Sequence, residues 1–415
     1  MQMRKPVVLL VAEAVTLAHF ARISTLAKAL DSPAYEIAVA SDPRYADLEP
    51  SLGCAFHPIR SIPSAEFSHA LAQGKPLYGV ETLTQYVEND LALLDSLKPD
   101  LVIGDFRLSL AVSAPLRKIP YAAVVNAYWS PFADTDYPVP DLPMTRILGV
   151  HLAQKLFNAV RPMAFAQHAR PLNRVRRSYG LPPLGPDLRN AYTWGDYTLY
   201  ADIPEMVPTC NLPAHHRYLG PVLWSTHTQL PEWWNHLPDD KPVIFLTLGS
   251  SGQANLLPMA LNALSRLPAT IIVATAGKIA IADAPANAYI TDYLPMDIAT
   301  RRSRLVISNG GSLTTYQALA HGLPVIGVCS NMDQLLNMGA VERAGAGLAL
   351  RGAEISSDDL FSAASVMLGN SPHAQAANRL SRLLQQYDAG QRLREIVAEI
   401  LAKERQQSSL DQLPA

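Results

Sequence analysis

Residues 304–340, RLVISNGGSLTTYQALAHGLPVIGVCSNMDQLLNMGA, constrain the fold more than any other part of the chain. The apolar residues 305–307 and the glycine turn at 309–311 predict a short buried strand, followed by a backbone that can approach a ligand closely. A helical pattern covers 312–320, and the apolar residues 325–328 predict a second buried strand. The stretch therefore predicts a βαβ unit of a parallel sheet.

Polar residues follow both predicted strands of this unit. Ser312, Thr314 and Thr315 open the helix, where unpaired backbone N–H groups and the positive end of the helix dipole favour a phosphate. Asp333 and Gln334 follow the second strand. Because open α/β sheets bind ligands beyond the C-terminal ends of their strands, we expect a phosphate site beside a carboxylate–amide pair. This combination indicates a nucleotide that carries a hydroxyl-rich group.

The composition indicates an ordinary globular protein. At about 150 residues per domain, 415 residues predict two or three domains. A net charge of −2 gives no reason to expect a nucleic-acid partner. The three cysteines are few, odd in number and widely spaced, which indicates neither a disulfide framework nor a zinc site. The apolar residues 7–11 are interrupted by Glu13, so we expect no signal peptide and a cytoplasmic location.

Strands alternate with helices through both halves of the chain, which predicts two doubly wound, Rossmann-like domains. The predicted strands are 7–11, 37–40, 101–103 and 122–125 in the first half and 243–248, 270–274 and 288–290 in the second. The turn at 249–252 contains Ser250 and offers a second phosphate contact. The predicted units are a first domain at 1–218, a linker at 219–241, a second domain at 242–385, and a C-terminal helix with a polar tail at 386–415.

Two aromatic segments are candidates for binding a second, partly apolar substrate. The segment 61–79 is predicted to be irregular and contains Phe67 and Tyr78. The segment 126–143 follows a strand and contains Tyr128, Trp129 and Phe132 among several prolines. Loops at such positions often line a site. A connection that the aromatic rings merely stabilise, or a contact with a partner, is the alternative for the second segment.

Residues 142–186 contain seven arginines or lysines and no aspartate or glutamate, with apolar residues interspersed at helical spacing. A basic amphipathic helix of this kind can make a peripheral contact with an anionic membrane surface or bind an acidic acceptor. A solvated helix face is the simpler interpretation.

Taken together, these patterns resemble the GT-B glycosyltransferases of family 1, which contain UDP-glycosyltransferases and bacterial macrolide glycosyltransferases. The family signature is His-Gly-Gly, a hydroxyl-rich turn, a Glu, then Gly-x-Pro and Asp-Gln with a following Asn. The corresponding residues here are Asn309, Gly310, Gly311, Ser312, Thr314, Thr315, Gln317, Gly322, Pro324, Asp333, Gln334 and Asn337. The resemblance covers nearly the whole chain and implies two Rossmann-like domains that face each other across a cleft.

The resemblance also implies how the donor binds. Residues 309–315 would surround the diphosphate, Asp333 and Gln334 would hold sugar hydroxyls, and Tyr293 and Leu294 would contact the base. Asn309 replaces a histidine, and Gln317 replaces the acid that usually accepts both ribose hydroxyls. A UDP-sugar is the first choice of donor because it is the commoner one in the family, whereas Gln317 makes a dTDP-sugar a real alternative.

The first domain would supply the catalytic groups. Ala18-His19-Phe20 corresponds to the turn that carries the family's general base, and Asp105 corresponds to the acid that orients it. We therefore expect an inverting, metal-independent transfer to a hydroxyl of a small, partly apolar or aromatic acceptor, with no cofactor. A nucleotide-sugar epimerase, and a nucleotide-sugar-binding protein without turnover, are the alternatives.

Overall fold

The computed structural model describes residues 4–48, 52–249 and 251–410, and its first half is a parallel sheet covered by helices. The strands of this sheet are β1 Val7–Ala12, β2 Glu36–Ser41, β3 Ala55–Pro58, β4 Leu101–Asp105, β5 Tyr121–Val125, β6 Tyr197–Tyr200 and β7 His216–Tyr218. Its helices are α1 Leu17–Ala29, α2 Ser64–Ala72, α3 Val80–Leu97, α4 Leu110–Leu116, α5 Pro143–Ser178 and α6 Leu188–Thr193. The strand order is β3-β2-β1-β4-β5-β6-β7, with parallel pairing throughout.

The second half forms another parallel sheet. Its strands are β8 Val243–Thr247, β9 Thr270–Ala274, β10 Ala288–Thr291, β11 Leu305–Ser308, β12 Val325–Cys329 and β13 Gly347–Arg351. Its helices are α7 Leu257–Ser265, α8 Met296–Arg302, α9 Ser312–Ala320, α10 Met332–Arg343, α11 Ser357–Met367, α12 Pro372–Leu384 and α13 Ala389–Leu410. The strand order is β10-β9-β8-β11-β12-β13. The prediction of two doubly wound α/β domains is confirmed.

Helices cover both faces of each sheet, so the central strands are apolar along their whole length. Strand β1 is the sequence VVLLVA, and all six of its residues are buried. Continuous apolar runs of this kind are typical of parallel sheets, whose strands expose neither face to water. Because β1, β4 and β5 are neighbouring parallel strands, their C-terminal ends lie side by side at one edge of the first sheet.

The last helix of the chain packs on the first domain. Leu393, Val397 and Ile400 of α13 share a buried cluster with Ile23 and Leu26 of α1. The chain therefore crosses between the two domains twice, once before β8 and once before α13. No helix in the described ranges is long and apolar enough to cross a membrane.

Two local predictions in the first domain were wrong. Helix α1 begins at Leu17, so His19 lies in the first turn of this helix rather than in a separate turn after β1. The segment 61–79 is not irregular, because it contains the nine-residue helix α2. The only buried residue of that helix is Phe67, and a single buried position gives no helical periodicity to read in the sequence.

Helix α5 occupies most of the basic segment 142–186. It is divided near its start by Gly149, whose backbone angles of φ 69° and ψ 158° are not helical. A left-handed φ of this size is favourable only for glycine. The helix buries Phe157 and Phe165 on one side, and this side forms part of the wall described below.

Candidate active site

A cavity of about 310 Å³ lies between the two domains. The first domain contributes residues that follow β1, β4 and β5, together with parts of α2, α5 and α6. The second contributes residues that follow β8 and β9 and the beginnings of α9 and α10. The C-terminal ends of strands from both sheets therefore open into one space, as expected for ligand sites in parallel α/β folds.

His19 and Asp105 form a hydrogen-bonded pair at this cavity. His19 Nδ1 lies 2.7 Å from Asp105 Oδ1, and Asp105 is fully buried at the end of β4. The ring of Phe106 stacks on the imidazole, with centroids 4.9 Å apart and planes 6° apart. Phe106 has a left-handed φ of 58°, a strained conformation for a bulky residue, and the stacking contact accompanies it. The imidazole is thus held from its Nδ1 edge and from one face.

Arg22, which was not among the predicted site residues, holds the other side of Asp105. Its Nε donates to Oδ2 at 2.6 Å and its NH2 group donates to Oδ1 at 2.9 Å. Burial by itself would raise the pKa of Asp105, but Arg22 and then His19 outweigh it and hold this pKa below the ordinary value. Asp105 is therefore a carboxylate, which can only accept, so Nδ1 of His19 donates in this bond and Nε2 is the ring nitrogen that Asp105 does not engage.

Asn126 connects this charged group to the second domain. Its Oδ1 accepts from Arg22 NH1 at 2.6 Å and from Ser312 Oγ at 3.3 Å. Its Nδ2 donates to Asp202 Oδ2 at 3.1 Å, and Asp202 Oδ1 accepts from the hydroxyl of Tyr316 on α9 at 2.7 Å. A continuous hydrogen-bonded path therefore links the histidine pair to the start of α9.

The residues that were predicted to surround the phosphate lie at the start of α9. Four predicted residues line the cavity here: Asn309, Gly311, Ser312 and Thr314. The other two lie behind it. Gly310 has a φ of 79°, and a Cβ there would lie 2.6 Å from Cys329 Sγ. Thr315 is fully buried and accepts from Asn337 Nδ2 at 3.1 Å, so its hydroxyl supports the turn from beneath.

Asn309 ties the two glycine turns together. Its Nδ2 donates to Ser251 Oγ at 3.0 Å, and its Oδ1 accepts from the backbone N–H of Gly311 at 3.2 Å. Ser251 lines the cavity, whereas Ser250, the residue predicted at this turn, lies outside the described residues. The side-chain amide of Asn309 therefore connects the two glycine turns, at the position where the family signature has histidine.

The predicted nucleoside contacts separate into two groups. Tyr293 and Leu294 line the cavity, and the Tyr293 hydroxyl donates to the backbone oxygen of Ala276 at 3.3 Å. Gln317 does not line it, because its side chain is buried within α9. Its Oε1 has no hydrogen-bond partner among the residues that the structure describes. Trp224 and Thr226, in the segment between the domains, line the same region and were not predicted.

Asp333 and Gln334, which were predicted to hold sugar hydroxyls, line the cavity in the first turn of α10. Asp333 Oδ1 accepts from Trp129 Nε1 at 2.8 Å and from the Tyr128 hydroxyl at 3.1 Å, so this carboxylate joins the two domains. Gln334 Oε1 accepts from the backbone N–H of Ser330 at 2.9 Å. Its Nε2 is buried and has no partner within the described ranges, although the residue borders the cavity.

Only some of the predicted acceptor residues reach the cavity. Phe67 and Trp129 line it. Tyr78, Tyr128 and Phe132 do not: Tyr78 packs beneath Phe106, Tyr128 is fully buried behind Asp333, and Phe132 packs edge-on against His216. The chain makes a 3₁₀ turn at Ala127–Trp129, which separates neighbouring aromatic side chains. Their direction cannot be read from composition.

Most of the apolar wall comes from helices that were not predicted to belong to the site. Phe157, Phe165 and His168 of α5 and Leu188 and Tyr192 of α6 line the side next to Phe106. His168 Nε2 lies 3.2 Å from the backbone oxygen of Gly74, and burial lowers the pKa of His168. The sequence signal that could have predicted this wall is the helical spacing of residues 157, 164, 165 and 168, which places them on one face of a helix.

The described residues contain no cluster of histidine, cysteine, aspartate or glutamate side chains that could hold a metal ion. One Asp-x-Asp sequence does occur, at Asp134-Thr135-Asp136. Both of its carboxylates are exposed, and neither lines the cavity.

The two facing parallel sheets, with the site between them, define the GT-B class of glycosyltransferase. Among solved structures, the chain resembles the spinosyn forosaminyltransferase SpnP, with a TM-score of 0.69 and 18% identity over 97% of this chain and 100% of that chain. It also resembles the spinosyn rhamnosyltransferase SpnG complexed with thymidine diphosphate, with a TM-score of 0.66 and 19% identity over 94% of this chain and 99% of that chain.

Sequence relatives agree with this class. Residues 258–414 match the family described as Erythromycin biosynthesis protein CIII-like, C-terminal domain. A PGL/p-HBAD biosynthesis rhamnosyltransferase of Mycobacterium bovis is 52% identical over 378 residues, 91% of this chain and 84% of the relative. A PGL/p-HBAD biosynthesis glycosyltransferase of Mycobacterium tuberculosis is 51% identical over 378 residues, 91% of this chain and 88% of the relative. The chain belongs to GT-B glycosyltransferase family 1 and is a glycosyltransferase.

Proposed function

We propose that the chain transfers a deoxyhexose from a dTDP-sugar to a hydroxyl of an aromatic acceptor that carries an apolar group, with inversion at the anomeric carbon. His19 acts as the general base. The observation that carries the proposal is the 2.7 Å bond between His19 and the buried carboxylate of Asp105, at a cavity whose other wall is the N-terminus of α9.

An acceptor hydroxyl attacks an anomeric carbon well only while it gives its proton to a base. Nε2 of His19 is the free ring nitrogen, so it takes that proton. Asp105 fixes the tautomer and stabilises the imidazolium that forms, and Arg22 keeps Asp105 ionised. The acceptor hydroxyl, deprotonated by His19, attacks the anomeric carbon from the first-domain side, and the diphosphate leaves toward the second domain, which supports inversion.

The leaving diphosphate gains negative charge as the glycosidic bond breaks. The backbone N–H groups at the start of α9, with the hydroxyls of Ser312 and Thr314, face that charge. The helix dipole adds to this stabilisation, because its positive end points toward the cavity. These groups are already in position before the reaction, so they need little reorganisation as the charge develops.

Thymidine is the nucleoside that we favour over uridine. The position of the ribose-binding acid holds Gln317, which is neutral, buried and outside the cavity lining. A site without that carboxylate loses less with a deoxyribose, which offers one hydroxyl fewer. The structurally similar SpnG, complexed with thymidine diphosphate, supports the same choice by analogy.

Rhamnose, or a similar deoxyhexose, is the sugar that we favour. The support is the name of the 52% identical relative, a rhamnosyltransferase. On this chain, the unpartnered Nε2 of Gln334 would donate to a sugar hydroxyl, and Asp333 would accept from one while it remains bound to Trp129. Satisfying a buried donor in this way favours the bound state.

The acceptor is inferred from the shape and chemistry of the wall. Phe67, Phe106, Trp129 and Tyr192 surround the space near His19, which suits an aromatic ring that carries the reacting hydroxyl. The space continues between α2 and α5 along apolar side chains, which suits an alkyl or other apolar extension. The mycobacterial relatives are named for PGL/p-HBAD biosynthesis, and we infer a related acceptor class.

Four donors test the proposal, in a two-by-two design: dTDP-rhamnose, UDP-rhamnose, dTDP-glucose and UDP-glucose. Thermal shift ranks their binding, since a ligand at about 100 times its Kd stabilises by about 2.7 kcal/mol. Product formation is then measured with p-hydroxybenzoate esters of increasing chain length, and NMR assigns the anomeric configuration. We expect dTDP-rhamnose to give the best transfer and an inverted product. If the UDP-sugars are transferred as well as the dTDP-sugars, the choice of thymidine is refuted. Retention of configuration at the anomeric carbon would refute the inverting mechanism.

A further inference from the structure

Helix α5 exposes an unusual amount of apolar surface. Ten large apolar side chains of the described residues are exposed, and six of them lie on this one helix: Ile147, Leu148, Leu152, Leu156, Val160 and Met163. Ile147 is 81% exposed and Met163 is 75% exposed, so neither is merely at the edge of the core. Exposed apolar side chains are normally scattered singly, and a contiguous set marks an interaction surface.

Four of these side chains follow the break at Gly149 and share one face of the helix: Leu152, Leu156, Val160 and Met163. Positions 152, 156 and 163 are separated by four and seven residues, which places them in one row along a helix. Ala153 and Phe157, one position further along, are turned by about 100° from this row and are buried. The inner face of α5 therefore forms the apolar wall of the cavity, and its outer face carries an apolar row of its own, here called the outer face of α5.

Positive charge accompanies the outer face of α5. Arg146, Lys155, Arg170, Arg174 and Arg177 are exposed on this helix, and no acidic residue occurs between positions 142 and 186. Position 170 is seven residues after 163 and continues the same row. Because the whole chain has a net charge of −2, this concentration of cations is local rather than general.

We propose that the outer face of α5 docks on an anionic lipid surface. The apolar row would enter the boundary between headgroups and acyl chains, and the flanking cations would contact the anionic headgroups. A protein partner would have to offer a matching apolar strip with acidic margins, whereas an anionic bilayer offers both over any length. The docking rests on α5 alone.

The docking also gives a route for the acceptor, and this second part rests on the proposed function. The outer face and the cavity wall are two sides of one helix, so docking places the cavity close to the lipid. Lys75, exposed on the turn after α2, borders the cavity on this side. An acceptor with an apolar chain could then enter the cavity without crossing bulk water, which would cost about 0.8 kcal/mol for each exposed methylene group.

The test is vesicle co-sedimentation of the full chain without donor or acceptor. The vesicles contain phosphatidylcholine alone or mixed with phosphatidylglycerol. The apolar variant is the triple substitution Leu152→Gln, Leu156→Gln and Met163→Gln, because glutamine forms helices well and leaves the inner face untouched. The control is Val366→Gln, which changes an exposed apolar side chain on α11 whose exposed fraction of 66% lies within the range of the three substituted side chains. The charge variant is Arg170→Gln with Arg174→Gln.

We expect the wild-type chain and the Val366→Gln control to sediment with the anionic vesicles, less so at high salt, and only weakly with phosphatidylcholine. The apolar variant and the charge variant should each lose about tenfold or more of this binding. Sedimentation equal to wild type in both variants would overturn the proposal, as would an absence of wild-type binding. If analytical ultracentrifugation shows that the wild-type chain is a dimer and that the apolar variant is a monomer, the outer face of α5 would instead bind a second copy of the chain.

Two controls distinguish a failure of the docking proposal from a failure of the proposed function. Thermal unfolding of the variants shows that they are folded, and if the apolar variant is not, the charge variant alone decides. Transfer to a short, water-soluble acceptor should keep its wild-type rate in both variants, because no substituted side chain lines the cavity. Lost binding with retained transfer supports the docking, whereas an inactive wild type would count only against the proposed function.

Discussion

The two walls of the cleft use polar groups in opposite ways. On the first-domain wall, His19, Arg22, Asp105 and Asn126 bond to one another, and charge is matched with charge. On the second-domain wall the polar residues are neutral amides and hydroxyls, apart from the acidic Asp292 and Asp333. Gln334 on this wall has a buried amide nitrogen without a partner among the described residues, and Gln317, which lies behind the wall, has a buried amide oxygen without one.

This difference separates catalysis from binding. A base must be held in one tautomer and one orientation before the substrate arrives, so its partners are built into the protein. A binding wall instead needs groups whose partners arrive with the ligand, and a buried donor without a partner makes the empty site less favourable. The first wall should therefore respond to substitution in rate and stability, and the second in ligand affinity.

The largest effect should follow from His19→Ala. Removal of a positioned general base typically lowers the rate about 10²–10⁴-fold. We expect kcat to fall in this range, while the affinity for dTDP measured by calorimetry stays at the wild-type value, because α9 is untouched. A variant that transfers sugar at the wild-type rate would exclude His19 as the base.

The next effect should follow from Arg22→Met, with Arg22→Lys as the matched control. The methionine variant leaves the fully buried carboxylate of Asp105 without its arginine partner, and such a loss costs about 3–5 kcal/mol of the free energy of unfolding. Lysine keeps the charge but not the two-pronged contact, so it should cost less. If both variants unfold at the wild-type temperature, the ion pair between Arg22 and Asp105 does not contribute to the free energy of unfolding as its geometry suggests.

The same variant should change the pH dependence of stability. Asp105 has a depressed pKa in the folded protein, so its contribution is present above the unfolded pKa and is lost as pH falls through the folded pKa. Without Arg22 the folded pKa rises, so the loss should begin at a higher pH. Urea unfolding of wild type and Arg22→Met between about pH 4 and pH 7 measures this shift. Parallel curves would show that Arg22 does not control the ionisation of Asp105.

A smaller effect, on binding alone, should follow from Gln334→Glu. The substitution keeps an acceptor oxygen for the Ser330 N–H but replaces the free Nε2 donor with an oxygen. Affinity for the dTDP-sugar should fall by about 1–3 kcal/mol, and affinity for dTDP without a sugar should fall less. An equal loss for both ligands would mean that Gln334 acts on the diphosphate rather than on the sugar.

The smallest effect should follow from Gln317→Met. This change removes a buried oxygen that has no partner among the described residues, at nearly constant volume, so the free energy of unfolding should stay within about 1 kcal/mol of wild type or rise slightly. We expect dTDP to bind with unchanged affinity, because Gln317 does not line the cavity. A clear loss of dTDP affinity would show that the side chain turns toward the nucleoside on binding.

Residues that lie close together in sequence were the most predictable part of the site. The strand, turn and helix at 304–320 are encoded locally, by an apolar run, two glycines and a helical pattern. The ends of parallel strands also meet by rule, so the approach of His19 and Asp105 could be expected before their side chains were seen. Arg22 was predictable in principle, since it lies three residues after His19 on one helix face.

Side-chain direction was the least predictable part. Tyr128 and Trp129 are neighbours in sequence and were assigned one role, yet one is buried behind Asp333 and the other lines the cavity. Thr314 and Thr315 divide in the same way, because one helical step of about 100° turns adjacent side chains to different surroundings. The role of α5 in the wall was missed because nothing local links residue 157 to residue 19.

By itself the sequence determined the class of fold and the kind of ligand, because strand and helix periodicity, glycine turns and polar residues at strand ends are local patterns with physical causes of their own. Only the tertiary structure decided which of those polar groups hydrogen-bond to one another and which remain available for a ligand. That choice depends on distances between residues that are far apart in the chain, such as Trp129 and Asp333, and packing alone sets these distances.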